Sequence, residues 1–293
     1  MQTGSTLASR FGRNSHVFRS NCPLGEAQMR TTAPSIFAEG KHDSRSERYT
    51  YIPTIEVLRA LHHEGFEPFM VAQSASRIAG KSEFTKHMIR MRHAGQVQAK
   101  SEAHEIILIN SHDGASSYQM LAGVFRFVCC NGLVVGDIAN DIRIPHKGRI
   151  QDQVIDGAFR VLQDFEAVES STQEMKALPL SRDEQLAFAE AALTLRYGDA
   201  EIAQAGGEQA NSVPPSPITA SQLLQARRQE DEEGSLWMTF QRTQEHLIQG
   251  GLPGRSIQGR RVRTRAVESI DRSVGLNRAL WVLAEEMRKL KRS

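Results

Sequence analysis

One stretch of the sequence groups polar side chains of the kinds that transfer protons or bind anions. The segment NSHDGASS follows directly after the apolar run IILI. His112 and Asp113 could transfer protons or bind a metal ion, and Ser116 and Ser117 could bind an anion together with backbone amides. The same residues also suit a turn in which Asp113-Gly114 reverses the chain and side chains cap backbone groups. The sequence leaves the turn, binding and catalytic interpretations open.

An enzymatic interpretation of this segment needs further residues. A metal-dependent nuclease, or another phosphoryl-transfer enzyme, requires carboxylates that converge around a divalent ion, and Asp113, Glu105 and Asp141 are the candidates. The histidines form no recognised pair of metal ligands, and the sequence contains no P-loop, dinucleotide fingerprint or nucleophile elbow. We therefore predict no metal and no cofactor, and we favour a non-enzymatic role over the enzymatic alternative.

A second feature is the basic segment GRSIQGRRVRTR near the C-terminus. From Gly250 to Ser293 there are eleven Lys or Arg and four acidic residues, so this part carries 11 − 4 = +7, and the rest of the chain carries 2 − 7 = −5. Guanidinium groups between glycines can follow a phosphate backbone, although a solvated run of charge without a partner is the alternative. The candidate phosphate-binding residues are Arg255, Arg260, Arg261, Arg263 and Arg265.

A third feature is the segment KHMIRMR, in which basic and apolar residues alternate. If it is extended, Lys86, Arg90 and Arg92 lie on one face and Ile89 and Met91 on the other. We expect a strand with one basic face. That face could be a second surface for nucleic acid, or it could be an ordinary exposed face.

These segments lie within a predicted α+β fold. A short helix follows Pro53, and the strands that come next are joined by connections too short for a helix between each pair, which favours a mainly antiparallel sheet in the N-terminal half. Asn131-Gly132 is predicted to be a hairpin turn. Helical patterns follow, including a capping box at Ser181 and a terminal helix in the basic C-terminal region. The predicted strands are 66–73, 86–92, 105–110, 124–129 and 133–135, and the predicted helices are 54–61, 151–165, 181–197, 220–230, 236–249 and 280–290.

Four parts are expected along the chain. Residues 1–35 have weak periodicity and are predicted to be a flexible basic arm. Residues 36–197 form the α+β core domain, and 198–218, which contain Gly206-Gly207 and Pro214-Pro215, form a linker. Residues 219–293 form a helical C-terminal region with a Gly/Arg-rich loop.

Composition restricts the class of protein. The chain is 40% hydrophobic and 24% charged, which suits a globular protein. Its three cysteines give no disulfide framework, and no apolar run approaches the ~20 residues that span a bilayer. We expect a cytoplasmic protein that does not act at a membrane.

The sequence contains the longer blocks KHDSRSERYTYIPT, ILINSHDG, GVFRFVC with NGLV, RIPHKG, GGLPGRS and NRALWV. With these blocks the chain resembles uncharacterised protein family 0380, which includes plasmid and prophage proteins and overlaps domain of unknown function 932. The resemblance covers nearly the whole chain from about Leu7 and implies a mobile-element setting, in which proteins that handle DNA or counter host defence are common. It assigns no catalytic residue.

Together these features predict a non-enzymatic nucleic-acid-binding accessory protein of a plasmid or prophage, with single-stranded DNA as the favoured partner. The first alternative is the metal-dependent enzyme at His112 and Asp113. The second is an interaction module that binds a host protein through the helical C-terminal region.

Overall fold

The computed structural model of the protein describes residues 15–44, 51–76, 78, 80–94, 102–127, 131–135, 142–144, 150–198 and 216–292. An antiparallel sheet forms first, and helices follow it. The strands are β1 (Ser15–Arg19), β2 (Phe66–Ser74), β3 (His87–His93), β4 (Glu102–Asn110), β5 (Tyr118–Arg126), β6 (Asn131–Val134), β7 (Ile142–Ile144), β8 (Pro253–Arg255) and β9 (Arg261–Arg263). The α-helices are α1 (Glu26–Thr32), α2 (Thr54–His63), α3 (Ile150–Ala177), α4 (Arg182–Tyr197), α5 (Ala220–Leu223), α6 (Leu236–Gln249) and α7 (Ile270–Arg292).

The large sheet follows the order of the chain from β1 to β6, and every neighbouring pair is antiparallel. Strand β7 pairs with β5 near Tyr118, while β6 pairs with the opposite end of β5. The predicted α+β class with a mainly antiparallel sheet is therefore confirmed.

Both faces of the sheet are covered. Ile106 and Leu108 belong to the core under helices α1 to α3, whereas Ile107 and Ile109 pack with Ile270 and Val274 at the start of α7. A strand that is buried on both sides needs apolar residues at every position rather than at alternate ones. This explains the uninterrupted run IILI.

The helical half packs directly on the sheet. Trp237 and Phe240 of α6 lie in one core with Val124 of β5 and Leu133 of β6. The capping box predicted at Ser181 is confirmed, because its amide donates to Glu184 and its hydroxyl accepts from the Glu184 amide. Residues of the predicted core domain and of the predicted C-terminal region therefore share one hydrophobic core.

Some local predictions differ from the structure, and the first of them concerns the N-terminus. Residues 15–35, predicted within a flexible arm, contain strand β1 and helix α1. Val17 pairs with Ala72 in the sheet, and Leu24 and Met29 are buried. The weak periodicity missed these elements because β1 is a short edge strand and α1 has only seven residues.

Two further differences concern a turn and a helix. Asn131-Gly132 lies in strand β6 rather than in the turn, and a side chain at Gly132 would overlap the Arg90 guanidinium. The predicted helix 220–230 ends at Leu223, and a short 3-10 helix covers Gln229–Asp231. Asp231 is buried against Arg126, at 2.6 Å, so a charged pair fixes the chain where a continuous helix was expected.

Candidate nucleic-acid interface

The arginine-rich segment, predicted as a loop, forms a two-stranded antiparallel hairpin of β8 and β9, which we call the arginine hairpin (residues 253–263). Arg255 lies opposite Arg261, and Pro253 lies opposite Arg263. Opposite residues of an antiparallel pair project from the same face, as do residues two positions apart. Arg255, Arg261 and Arg263 therefore project from one face of the hairpin.

The arginine hairpin is held against the rest of the protein at its inner edge. The backbone amide of Arg255 donates to the carbonyl oxygen of Pro217 at 2.9 Å. A Cβ atom at Gly254 would overlap that same carbonyl oxygen, so only glycine permits this approach. At the base of the hairpin, the Gly251 amide donates to the Thr264 carbonyl at 2.8 Å. The arginines are thus displayed on an ordered, docked element.

The charges of this segment are not balanced locally. From Gly250 to Ala266 the sequence has five arginines and no acidic residue, a charge of +5, and all five arginines are exposed. None of the five forms an ion pair within the part of the chain that the structure describes. In contrast, the nearby Arg227 and Arg228 both pair with Glu245. Since like charges directly opposite on a hairpin are destabilising, the arrangement favours an external anion.

A groove of about 990 Å³ lies between the arginine hairpin and residues 216–222. Its wall combines the three arginines of the hairpin face with the polar side chains of Ser216, Thr219 and Gln222. A smaller cavity of about 240 Å³ also borders Ser216 and Thr219 and is lined by Tyr197. Guanidinium groups, hydroxyls, an amide and an aromatic ring are the groups that bind phosphates and bases.

The sequence interpretation missed the wall formed by residues 216–222, because this stretch begins within the predicted linker. Ile218 is buried and Gln222 donates to the Pro253 carbonyl at 2.8 Å, so the segment is packed against the hairpin. One sequence signal indicates that an ordered element begins here, since Thr219 and Gln222 have the spacing of a capping box. Both hydrogen bonds of the capping box form in the structure.

The basic strand face lies elsewhere and is not a second exposed surface. The predicted alternation along β3 is correct, but Arg90 and Arg92 are only 4% and 1% exposed. Lys86 forms an ion pair with Asp271 of α7 at 2.7 Å. The expectation that these residues lie on an exposed face is therefore wrong, and the structure does not join them to the arginine hairpin in one groove.

The physical reason for the burial of this face is a compensating acidic residue on the next strand. Glu105 of β4 accepts from Arg90 and, at 2.9 Å, from Arg92. The guanidinium of Arg92 also lies 4.2 Å from the ring centre of Phe69 and 4.3 Å from that of Phe125. A buried charge is tolerated when it has an opposite charge, hydrogen bonds and aromatic faces around it. Inspection of β3 alone could not reveal these partners.

The segment with His112 and Asp113 forms the seven-residue turn that joins β4 to β5. His112 is fully buried, and Asp113 accepts from the Ala115 amide at 3.0 Å and pairs with Lys81 at 3.2 Å. Burial by itself raises the pKa of Asp113. The Ala115 hydrogen bond and the Lys81 ammonium together outweigh this effect, so the pKa lies below its ordinary value. Gly114 has φ 74°, the left-handed conformation that the predicted reversal requires.

The serines predicted to bind an anion sit at the end of this turn. The Ser116 amide donates to the Ser111 hydroxyl at 2.8 Å, and the Ser116 hydroxyl donates to the Ser117 carbonyl at 2.9 Å. Both donors of Ser116 are therefore engaged within the turn, whereas Ser117 is exposed.

A buried polar cluster lies next to the turn, at the ends of β2, β3 and β4. His87 contacts the hydroxyls of Ser35 and Thr54 at 2.9 and 3.0 Å, and Asn110 donates to Thr54 at 2.9 Å. Burial, reinforced by His112, lowers the pKa of His87 to about 3, so its ring is neutral at ordinary pH. These side chains are closed off from solvent, and the arrangement holds the start of α2 on the sheet.

The acidic residues of the enzymatic alternative occupy separate environments. Asp113 pairs with Lys81 in the turn, whereas Glu105 lies in β4 between two arginines of β3. Asp141 lies outside the described residues. Within the described ranges, no group of three or more His, Cys, Asp or Glu residues is arranged to hold a metal ion. Nor does any described helix combine the length and apolar character needed to cross a membrane.

Comparison with known proteins gives a consistent result over nearly the whole chain. The chain is 50% identical over 281 residues to UPF0380 protein YafZ and to UPF0380 protein YfjQ, both of Escherichia coli (strain K12). Each match covers 96% of this chain and 97% of the relative. No solved structure matches. The model of the family described as Domain of unknown function (DUF932) matches residues 41–281, and the chain therefore belongs to this family.

Proposed function

We propose that this protein binds single-stranded nucleic acid in the groove beside the arginine hairpin, as a non-enzymatic accessory protein of a plasmid or prophage. The observation that carries the proposal is the set of five exposed arginines that have no acidic partner among the described residues, three of which line one groove. This arrangement suits a polyanion. The proposal places the protein in the cytoplasm, where such a partner is found.

The shape of the site supports a single strand over a duplex. The groove has room for a few nucleotides, and one wall carries arginines at alternate positions of β9 and at a paired position of β8, which suits a backbone with regularly spaced phosphates. Tyr197 borders the adjoining cavity and offers a ring on which an unstacked base could lie. A duplex keeps its bases stacked and is too broad to enter a groove of this size.

The surroundings of the other candidate residues support a binding role without catalysis. His112 is buried, Asp113 is paired with Lys81, and Glu105 is paired with two arginines. None of these side chains borders the groove beside the arginine hairpin. The proposal therefore assigns these three residues to structure rather than to a reaction.

The test is a titration of the full chain into a labelled single strand of about 20 nucleotides, longer than the site of one single-strand-binding fold, and into a duplex of the same length. Fluorescence anisotropy is measured at several salt concentrations. We expect tighter binding to the single strand and an affinity that falls as salt rises. Absence of binding to either probe at low salt would overturn the proposal, and tighter binding to the duplex would overturn its single-strand part.

A further inference from the structure

The tip of the arginine hairpin presents one large apolar side chain to solvent. Ile257 is 79% exposed, more than any other large hydrophobic residue in the described part of the chain. It lines the same groove as Arg255, Arg261 and Arg263. Isolated exposed apolar residues are common on protein surfaces, so the position of Ile257 among five cations is what requires an explanation.

The turn that carries Ile257 is well defined. The Ser256 amide donates to the Arg260 carbonyl and the Gly259 amide donates to the Ser256 carbonyl, at 2.9 and 2.8 Å. The Ser256 hydroxyl accepts from the Arg260 amide at 3.2 Å, and Gly259 has φ 75°. This is the geometry of a hairpin loop closed by a glycine in the left-handed conformation. Ile257 therefore stands at a fixed place in the turn between β8 and β9, where its side chain is exposed and lines the groove.

A partner that satisfies both features must offer phosphates and an apolar flat surface side by side. A uniform single strand supplies phosphates, but its bases are not held at one place. The interior of a duplex supplies phosphates, but its base faces are covered by stacking. At the end of a duplex that continues as a single strand, the last base pair exposes an apolar face next to the departing phosphate chain.

We propose that the arginine hairpin binds at junctions between single-stranded and double-stranded nucleic acid. The single strand lies in the groove, and Ile257 packs on the terminal base pair. Apolar side chains that cover or separate base steps are a known means by which proteins engage nucleic acid. This inference rests on the proposed function and adds to it the form of nucleic acid and the role of Ile257.

An anionic membrane surface would also combine phosphates with an apolar region. Three of the arginines, however, line a groove rather than a flat surface, and a single isoleucine provides little apolar area for membrane insertion. The junction is therefore the partner that the geometry favours, and vesicles form one arm of the test.

The experiment compares the full chain with three labelled probes: a single strand, a blunt duplex, and the same duplex extended by that single strand. We expect the wild-type protein to bind the junction with an affinity about 10-fold higher than that for the single strand, because binding removes most of one aliphatic side chain from water. In Ile257→Ser this ratio falls close to unity, whereas Ile257→Leu retains most of it. A fluorescent base analogue at the terminal pair reports its contact with the wild-type protein and loses that signal in Ile257→Ser.

The matched control is Ile78→Ser, which removes an isoleucine that is 62% exposed in the loop after β2 and should leave the ratio unchanged. Equal affinity of the wild type for junction and single strand, or a preference that survives Ile257→Ser, overturns the junction inference while leaving single-strand binding intact. Failure of the wild type to bind any nucleic-acid probe overturns the proposed function itself. Binding to anionic phospholipid vesicles that is tighter than to the junction, and is lost in Ile257→Ser, overturns the inference in favour of a membrane.

Discussion

Replacement of the three arginines that face the groove should change how binding depends on salt. The variant carries Arg255→Gln, Arg261→Gln and Arg263→Gln, and it leaves Arg260 and Arg265 in place. Glutamine keeps a polar side chain that is shorter than arginine, and it removes the charge together with the exposed hydrogen bonds that the Arg255 and Arg263 guanidiniums donate to the Gly259 and Gly251 carbonyls. None of the three arginines forms an ion pair within the described chain, so the fold should be preserved.

The magnitude follows from the number of arginines that can meet phosphates. Each phosphate neutralised on a single strand contributes about −0.7 to the slope of log affinity against log salt. Five contacts give a slope of about −3.5, and the two left in the variant give about −1.4. When salt rises about fourfold, the wild-type affinity should fall about 130-fold and the affinity of the variant about 7-fold.

The assay is fluorescence anisotropy with a labelled single strand, repeated over a series of salt concentrations. The control variant combines Arg59→Gln, Lys289→Gln and Arg292→Gln, which lowers the net charge by the same amount at exposed residues outside the hairpin. It should retain a slope close to that of the wild type. An unchanged slope in the groove variant, or an equal loss in the control, would refute the assignment of phosphate contacts to the arginine hairpin.

Three further predictions concern stability. Glu105→Gln leaves two arginines buried without their carboxylate and should lower the free energy of unfolding in urea by about 3–5 kcal/mol. The control Glu26→Gln, in an exposed ion pair, should lower it by less than about 1 kcal/mol. Similar losses in the two variants would contradict the stabilising role of the buried carboxylate. Burial lowers the pKa of His87 to about 3, so this residue binds a proton more readily in the unfolded chain than in the folded protein. The free energy of unfolding is therefore highest above the pKa of the unfolded chain and declines as pH falls towards the pKa of the folded protein. Urea unfolding at about pH 5 should show a loss of about 2 kcal/mol relative to neutral pH from this residue, and His87→Gln should remove that part of the pH dependence; an identical pH dependence in both proteins would argue against it. Gly254→Ala should lower the free energy of unfolding in urea by about 1–3 kcal/mol, because the new Cβ atom overlaps the Pro217 carbonyl. The control Gly275→Ala, in open space on α7, should raise it by up to about 1 kcal/mol. An unchanged free energy of unfolding in Gly254→Ala would show that the hairpin is not docked as described.

Local patterns in the sequence were sufficient for much of the fold. The run IILI predicts a buried strand, and the capping box at Ser181 predicts where a helix begins, because both signals depend on residues close together in the chain. The α+β class follows from the same local signals. The short edge strand β1 was missed because its stability comes from pairing with β2, more than fifty residues later.

The candidate site was predictable only in part, for a related reason. The arginine cluster is visible as composition, but the docking of its hairpin depends on the close approach of Gly254 to Pro217, which belongs to another segment. Alternation along β3 correctly separates Arg90 and Arg92 from Ile89 and Met91. It cannot show that Glu105 on the next strand compensates the two charges and that the basic face is consequently buried. Burial of a charged face is decided by partners that are distant in sequence.

The proposed function requires nucleic acid to occupy the groove beside the arginine hairpin. Hydrogen exchange of the full chain, with and without a saturating single-stranded oligonucleotide, tests it most directly, because it locates the contact on the backbone. We expect bound nucleic acid to slow exchange at amides of residues 253–263 and 216–222. Slowed exchange confined to other parts of the chain, with no change in these two segments, would contradict it.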